Sequence, residues 1–272
     1  MIIIKVGGGT TINWDYVASD LKQLIAKEQV VLVHGAGAIR DEIAQKLQAP
    51  TKTIISPSGI SSVYTNQQAL DIFLMVYPGL VNKKIVATLQ ANGISALGLS
   101  GVDGALWRAK RKPNLLSKEG NKTKLLIDNL TGRVEVVNAD LIHLLVDNGY
   151  TPVIAPPALS YENEIVNTDN DWAVAIMAGA LEVKKVVYLF EAPGLLRDVN
   201  KPESLIKHIE AKKIDDYLTF AQGRMKKKVL GVKKAFELGV ETIYWGDGRI
   251  KNPISQALEG HGTIISNSKI EP

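Results

Sequence analysis

Runs of β-branched and aliphatic residues recur along this chain, and most stop at glycine or proline before an amphipathic stretch begins. "IIIKV" at 2–6 runs into three glycines, and Val17, Leu21, Leu24 and Ile25 then follow at helical spacing. "VVLVH" at 30–34 runs into Gly-Ala-Gly and a helix near 38–48. No other feature constrains the fold as strongly. Strands alternating with helices imply a mainly parallel sheet covered on both faces, an α/β protein whose ligands bind beyond the carboxyl ends of the strands.

The remaining segments extend that pattern. A helical region spans 65–92 and a strand follows near 95–99. "WRAKRKPNLLSKEGNKTKLLID" reads as one β-hairpin with a charged tip. "GRVEVVN" is a strand, 139–148 a helix, and "TPVIAPP" a buried strand ending at its prolines. Helices are expected over 171–181 and 224–238, and strands at "KKVVYLF", "VETIYW" and "GTIIS". A soft boundary near 180 separates two lobes that share one sheet. No internal repeat or low-complexity tract is visible.

Composition excludes several chemistries. There is no cysteine, hence no disulfide, iron–sulfur cluster or cysteine nucleophile. His34, His143, His208 and His261 lack metal-ligand spacing, so no protein-built metal site is expected. His34 follows a buried strand and reads as packed or hydrogen-bonded rather than as a base. A net charge of +4 is too weak to argue for nucleic acid. Apolar runs break well before 18 residues and no cleavable leader is seen, so neither a membrane helix nor secretion is expected, and the cytosol is the expected compartment.

Two glycine turns and three charged clusters point to chemistry. Gly-rich turns after parallel strands let backbone N–H groups approach a phosphate, although tight strand-to-helix connections explain the turns equally well. Neither turn is a standard nucleotide fingerprint. Lys5 favours the phosphate reading, because a lysine near the end of a central strand is costly to bury without an anion. "GRMKKKVL" at 223–230 supplies more lysines, with a solvated helix face as the alternative. "VNTDND" at 166–171 packs two aspartates before an apolar helix, and Asp169 or Asn170 would cap it well. Phosphoryl transfer needs such parts: lysines on the transferring group, backbone donors and a carboxylate that holds the lysines.

In order along nearly the whole chain, "IIIKVGGG", "VVLVHGAGA", "MVYPGLVNKKIV", "ALGLSGVDG", "NADLIHLLVDNGYTPVIAP", "IVNTDNDWA", "APGLL", "GRMKKKV" and "ALEGHGTII" resemble the amino-acid kinase family, acetylglutamate-kinase branch. "SPSG", "GLSGVDGALWRAKRK" and "GRMKKKV" are most similar to the carrier-protein-dependent aminoadipate/glutamate kinases of lysine and arginine biosynthesis. The resemblance implies a three-layer α/β/α sandwich, with an acceptor lobe over 1–180 and a nucleotide lobe over 181–272. It implies ATP-dependent phosphorylation of a side-chain carboxylate, with Mg2+ bridging the ATP phosphates. Lys5 and Lys228 would stabilise the transferring phosphoryl group and Asp171 would organise them. Gly8 and the turn Gly35, Ala36, Gly37 would donate N–H groups to phosphate and acceptor. Asn167 would hold the substituents on the acceptor's α-carbon. Glu191, Gly194, Leu195 and Leu196, with Phe220, Ala221 and Gln222, would contact the nucleotide. The implied partners are a carboxylate acceptor and a small acidic amino-group carrier protein, met by the basic stretch 108–124. A homodimer is the expected assembly.

Several positions depart from the family pattern. Val63 stands where an arginine is expected to grip the substrate carboxylate, Asn66 replaces an acid, Ala36 a glycine, and Trp172 a small or basic residue. Arg40 is expected at the surface, with compensation for the missing arginine as its alternative. A kinase of the same fold acting on another acid or on N-acetylglutamate, and an inactive sensor homologue, remain the rival readings.

Overall fold

Strand β1 (Ile2–Val6) is buried at all five residues. It pairs in parallel with β2 (Val30–His34) and with β12 (Lys185–Phe190). The computed structural model describes residues 1–57, 59, 61–119, 122–217 and 224–267. Between β1 and β12 come α1 (Trp14–Ile25), α2 (Gly37–Lys46), β3 (Thr53–Ile55), β4 (Ser61–Val63), α3 (Gln67–Leu74), α4 (Asn82–Ala91), β5 (Ala96–Gly101) and β6 (Trp107–Arg111). Then follow β7 (Leu115–Glu119), β8 (Lys122–Leu126), β9 (Gly132–Val137), α5 (Ala139–Asp147), β10 (Thr151–Ser160), β11 (Ile165–Val166) and α6 (Asn170–Ala180). After β12 lie β13 (His208–Glu210), α7 (Arg224–Glu237), β14 (Thr242–Asp247), α8 (Pro253–Leu258) and β15 (Thr263–Ser266).

An 11-stranded sheet runs in the order β13-β15-β14-β12-β1-β2-β10-β6-β9, with β5 and β11 also paired to β10. Three of its pairings, β14–β15, β6–β9 and β10–β11, are antiparallel and the rest are parallel. Alternation along β1 sets the two helical layers. Ile2, Ile4 and Val6 pack with Val17 and Leu21 of α1, Leu89 of α4 and Ile254 of α8. Ile3 faces the other way, into a core with Val174 and Met177 of α6 and Val232 of α7. Lys5 shares the parity of Ile3, so its side chain leaves the sheet toward α6 and α7. The three-layer α/β/α expectation holds.

The helical region expected over 65–92 is present, and four details differ from or add to the expectations. First, α3 and α4 form one rod, joined by π-helical turns over Met75–Val81 that contain Pro78. Proline lacks an N–H and crowds the carbonyl four residues back, and widening the helix relieves both. By length and composition alone this rod, Gln67–Ala91, is apolar enough to cross a membrane, a test that a core helix also passes. Here it packs against the sheet, with Asn82 Nδ2 donating to Val153 O at 2.9 Å. Second, β10 does not end at its prolines. Pro156 and Pro157 fall where β10 leaves β5 after Ala155 and takes up β6 at Leu159, so no ladder N–H is required there. Third, the basic stretch is not one hairpin. β6 joins the main sheet, pairing with β9 and β10, and only β7 and β8 form the hairpin. Fourth, the short hairpin β3–β4, with strands of three residues each, was not anticipated.

The two ends of the chain are tied by one buried carboxylate. Asp20 of α1 accepts from Ile254 N at 2.6 Å, Ser255 N at 2.9 Å and Ser255 Oγ at 2.5 Å, satisfying the first turn of α8. Removing it leaves buried donors unpaired. Asp20→Ala should lower the unfolding free energy by about 2–3 kcal/mol in urea titrations, with phosphoryl transfer unchanged at a temperature where the variant is folded.

Candidate active site

The site is built where β1 meets α6 and α7. Asp169 caps α6, accepting from Trp172 N at 3.0 Å. Asp171, two residues later, is therefore not needed as the cap and turns toward the sheet, 8% exposed. Helix α7 approaches α6 closely at Gly231, where a Cβ would meet Asp171 O at 2.8 Å. Lys228, one turn earlier on α7, is thereby brought to the same carboxylate. Lys5 Nζ lies 2.9 Å from Asp171 Oδ1 and Lys228 Nζ lies 3.4 Å from Oδ2. Lys5 thus pairs with Oδ1, and Lys228 donates to Oδ2.

One carboxylate thus carries two ammoniums in a low-dielectric setting. Burial alone would raise the Asp171 pKa, but Lys228 and Lys5 more than reverse this and lower it to about 2. Burial works against the charge on Lys5, yet Asp171 outweighs it and raises its pKa. Burial lowers Lys228 to about 8, with Asp171 opposing and Lys5 adding repulsion. The Tyr188 ring stands beside Lys5 in register on β12, and its buried hydroxyl has no hydrogen-bond partner among the described residues. Burial, then the charges of Asp171 and Asp169, hold that hydroxyl neutral, well above its ordinary pKa.

The two glycine turns meet backbone to backbone. A Cβ on Gly8 would collide with the amide nitrogens of Ala36 and Gly37, the latter at 2.5 Å. Ala38 N donates to Gly8 O at 3.0 Å, and α2 starts at Gly37 with no side-chain cap. The result is a cradle of backbone at the carboxyl ends of β1 and β2. His34 sits beneath it, fully buried, with Nε2 3.0 Å from Asn82 Nδ2 and Nδ1 3.2 Å from Gly35 O. Burial, against a favourable contact with Gly35, lowers its pKa to about 4, so it is a neutral packed residue, as expected.

Glu191 closes the other side of the first turn. Its Oε1 accepts from Thr11 N at 2.7 Å and Thr11 Oγ1 at 2.6 Å, and its carboxylate occupies the space a Gly9 side chain would need. Gly194 and Leu195 are drawn toward β15, with Leu195 N donating to Thr263 Oγ1 at 2.8 Å, and Leu196 bridges to Leu205. Phe220, Ala221 and Gln222 lie outside the described residues. Asn167 Nδ2 donates to Thr65 Oγ1 at 3.0 Å, two residues beyond Val63. Trp172 donates from Nε1 to Val134 O at 3.0 Å and stacks under Arg133 at 3.4 Å, so the departure there anchors α6 to β9.

Arg40 is the residue the sequence misplaces. It is 6% exposed, not a surface residue. It lines a cavity of about 280 Å³ together with Asp41, Thr51 and Val63. A polar residue one turn into a weakly amphipathic helix gives no periodic signal for burial.

Paired lysines on a buried carboxylate, facing a backbone cradle at the ends of parallel strands, define a phosphoryl-transfer enzyme. The chain belongs to the amino acid kinase family, which it matches over residues 1–244. It is 46% identical over 267 residues to a [LysW]-aminoadipate kinase of Deinococcus radiodurans, covering 98% of this chain and 91% of that one. It is 43% identical over 268 residues to a [LysW]-aminoadipate kinase of Thermus thermophilus, covering 97% of this chain and 100% of that one. In fold it is similar to the crystal structure of smu.665 from Streptococcus mutans, with a TM-score of 0.76, 19% identity and 98% of each chain covered.

The triad makes two measurable demands. If Lys228 must be charged, kcat/KM for ATP should fall above about pH 8, since that limb reports the free enzyme. Lys228→Arg should retain some turnover and move the limb upward, because guanidinium does not titrate there. Asp171→Asn should lower kcat on the order of 10²-fold and, by leaving two buried ammoniums unbalanced, cost about 3 kcal/mol of stability at neutral pH. Because the folded pKa of Asp171 lies below its ordinary value of 3.8, that stability is present above pH 4. The denaturation difference from wild type should shrink as pH falls toward 2.

Proposed function

We propose that this kinase phosphorylates the side-chain carboxylate of 2-aminoadipate, or of glutamate, while the amino group is attached to a small acidic carrier protein. The observation that carries the reading is the Lys5–Asp171–Lys228 triad, set beside two relatives whose names specify [LysW]-aminoadipate. The enzyme is an ATP-dependent carboxylate kinase. Residues 1–180 take the acceptor and 181–272 the nucleotide, in a cytosolic homodimer.

A carboxylate with a pKa near 4 is already ionised at neutral pH, so no proton need be removed from the nucleophile. The site must instead keep two anions together. Lys5 and Lys228 neutralise the transferring phosphoryl oxygens as the acceptor oxygen bonds to phosphorus and the bond to the ADP oxygen breaks. Asp171 keeps both ammoniums aimed and prevents either from collapsing onto the acceptor. The cradle of Gly8, Gly35, Ala36 and Gly37 offers backbone dipoles to phosphate and acceptor carboxylate without mobile charge. Among the described residues no three acids or histidines converge as a metal cage, which suits an ion held largely by phosphate and water. Magnesium bound with the nucleotide would supply charge neutralisation across its phosphates.

The carrier would meet a smaller basic face than the sequence suggests. Arg108 is committed to Ser160 O at 2.9 Å and Asn163 Oδ1 at 2.8 Å, and Arg111 to Glu164 at 2.5 Å. Lys110, Lys112, Lys118, Lys122 and Lys124 remain exposed on β6, the following turn and the β7–β8 hairpin. Electrostatic steering weakens as the Debye length shortens from about 10 Å at 0.1 M salt to about 3 Å at 1 M. Turnover of carrier-linked 2-aminoadipate should fall steeply over that range, while any turnover of a free acceptor should barely change. Replacing Lys118, Lys122 and Lys124 by Ala should flatten the dependence and leave the KM for ATP unaltered. Val63, which cannot pair with an α-carboxylate, favours a second reading, a kinase of the same fold acting on a different acid or a phosphate, and faster turnover of such an acceptor than of the carrier-linked substrate would select it.

A further inference from the structure

We infer that Arg40 grips the second carboxylate of the acceptor and so sets which acids this site accepts. The inference rests on the carboxylate-kinase reading and adds a residue to it. An acceptor of that class carries two carboxylates. One attacks phosphorus, and the other sits on the α-carbon beside the linked nitrogen. Lys5 and Lys228 are occupied with Asp171 and the phosphoryl group. A further cation must lie in the acceptor half, within one side chain's reach of the cradle.

Arg40 meets those conditions. It stands three residues into α2 from Gly37, about 4.5 Å along the axis from the cradle. It is buried, and a buried guanidinium is costly unless an anion and hydrogen bonds satisfy it. Its Nε and Nη2 both donate to Asp41 Oδ1, at 3.1 and 2.6 Å, so a single oxygen holds one edge of the fork. Asp41 is itself 41% exposed and screened by solvent, so it orients Arg40 more than it neutralises it. A carboxylate binds side by side along the terminal edge of such a fork. The cavity of about 280 Å³ beside Arg40 has room for that group. A narrower cleft continues from Arg40, Thr51 and Val63 to Thr65. At the far end of that cleft Thr65 accepts from Asn167 Nδ2 at 3.0 Å, the residue expected to hold the substituents on the acceptor's α-carbon. Val63 lines the same cavity as Arg40 with an apolar side chain and introduces no competing charge.

The test compares two carrier-linked acceptors, 2-aminoadipate and 5-aminopentanoate, which is the same chain without the α-carboxylate. Wild type should prefer 2-aminoadipate on the order of 10²-fold in kcat/KM, the scale of a site left with an unpaired buried charge. Arg40→Met should collapse that preference to a few-fold by raising the KM for 2-aminoadipate, while turnover of 5-aminopentanoate and the KM for ATP hold. A merely structural Arg40 would instead depress both acceptors together, and that outcome overturns the assignment, as does a preference that survives in the variant. Should Arg40→Met fail to fold, Arg40→Lys keeps the charge and loses the fork. It should lose most of the preference, and full retention counts against the assignment. If wild type turns over neither carrier-linked acceptor, the carrier-linked kinase reading falls and takes this one with it.

Discussion

Asp171 shared between Lys5 and Lys228 is the interaction on which the rest of the structure depends. Three charges with a net positive sum are held in a region walled by Tyr188 and Phe190. Such a cluster is expensive to desolvate, and it persists only because each member is over-determined by packing. Strand parity points Lys5 toward α6 and α7 and away from α1 and α4. The cap at Asp169 releases Asp171 from helix duty. Gly231 lets two helices approach within contact distance so that Lys228 reaches across. None of these devices touches a substrate, yet each sets a distance in the triad.

Because an acyl phosphate is made from an anion that needs no deprotonation, the chemistry asks for cations and backbone dipoles rather than a tuned base. His34 illustrates the division. It lies directly beneath the cradle, but burial keeps it neutral and its ring supports Gly35 instead of exchanging protons. The tryptophan at 172 follows the same logic: it carries no charge to the reaction, and its ring and N–H fix the helix that presents Asp171.

Much of this was legible in the sequence, because the governing signals are local and periodic. An apolar run broken by a single lysine, a glycine run after it, and an Asp-Asn-Asp helix start each have one inexpensive physical explanation. On the expected nucleotide side, Glu191 closes on the first glycine turn and the Leu195 amide is engaged by Thr263. What escaped has a common cause. The prolines of β10 are tolerated because the strand changes partners there, a fact of pairing invisible along the chain. β6 left the hairpin for the same reason. The hairpin β3–β4 is too short to show alternation. Arg40 was misjudged because a charged residue on a weakly patterned helix reads as exposed, and its surroundings, Val63, Thr65, Ile72 and Phe73 among them, come from further along the chain.

Strand β1 has two neighbours in space and very unequal distances to them in the chain. Ile3 pairs with Val31, close behind it, and with Val186, far downstream. The earlier edge can form as soon as the first helix is made. The later edge stays unpaired until the second half of the polypeptide has left the ribosome, and during that interval an apolar strand bearing a lysine is open along one side. Synthesis of this protein therefore passes through a stage in which Lys5 is solvated and its future counter-ions are still to be translated. In that stage the lysine interrupts an apolar run, a pattern that disfavours strand-to-strand association of nascent chains.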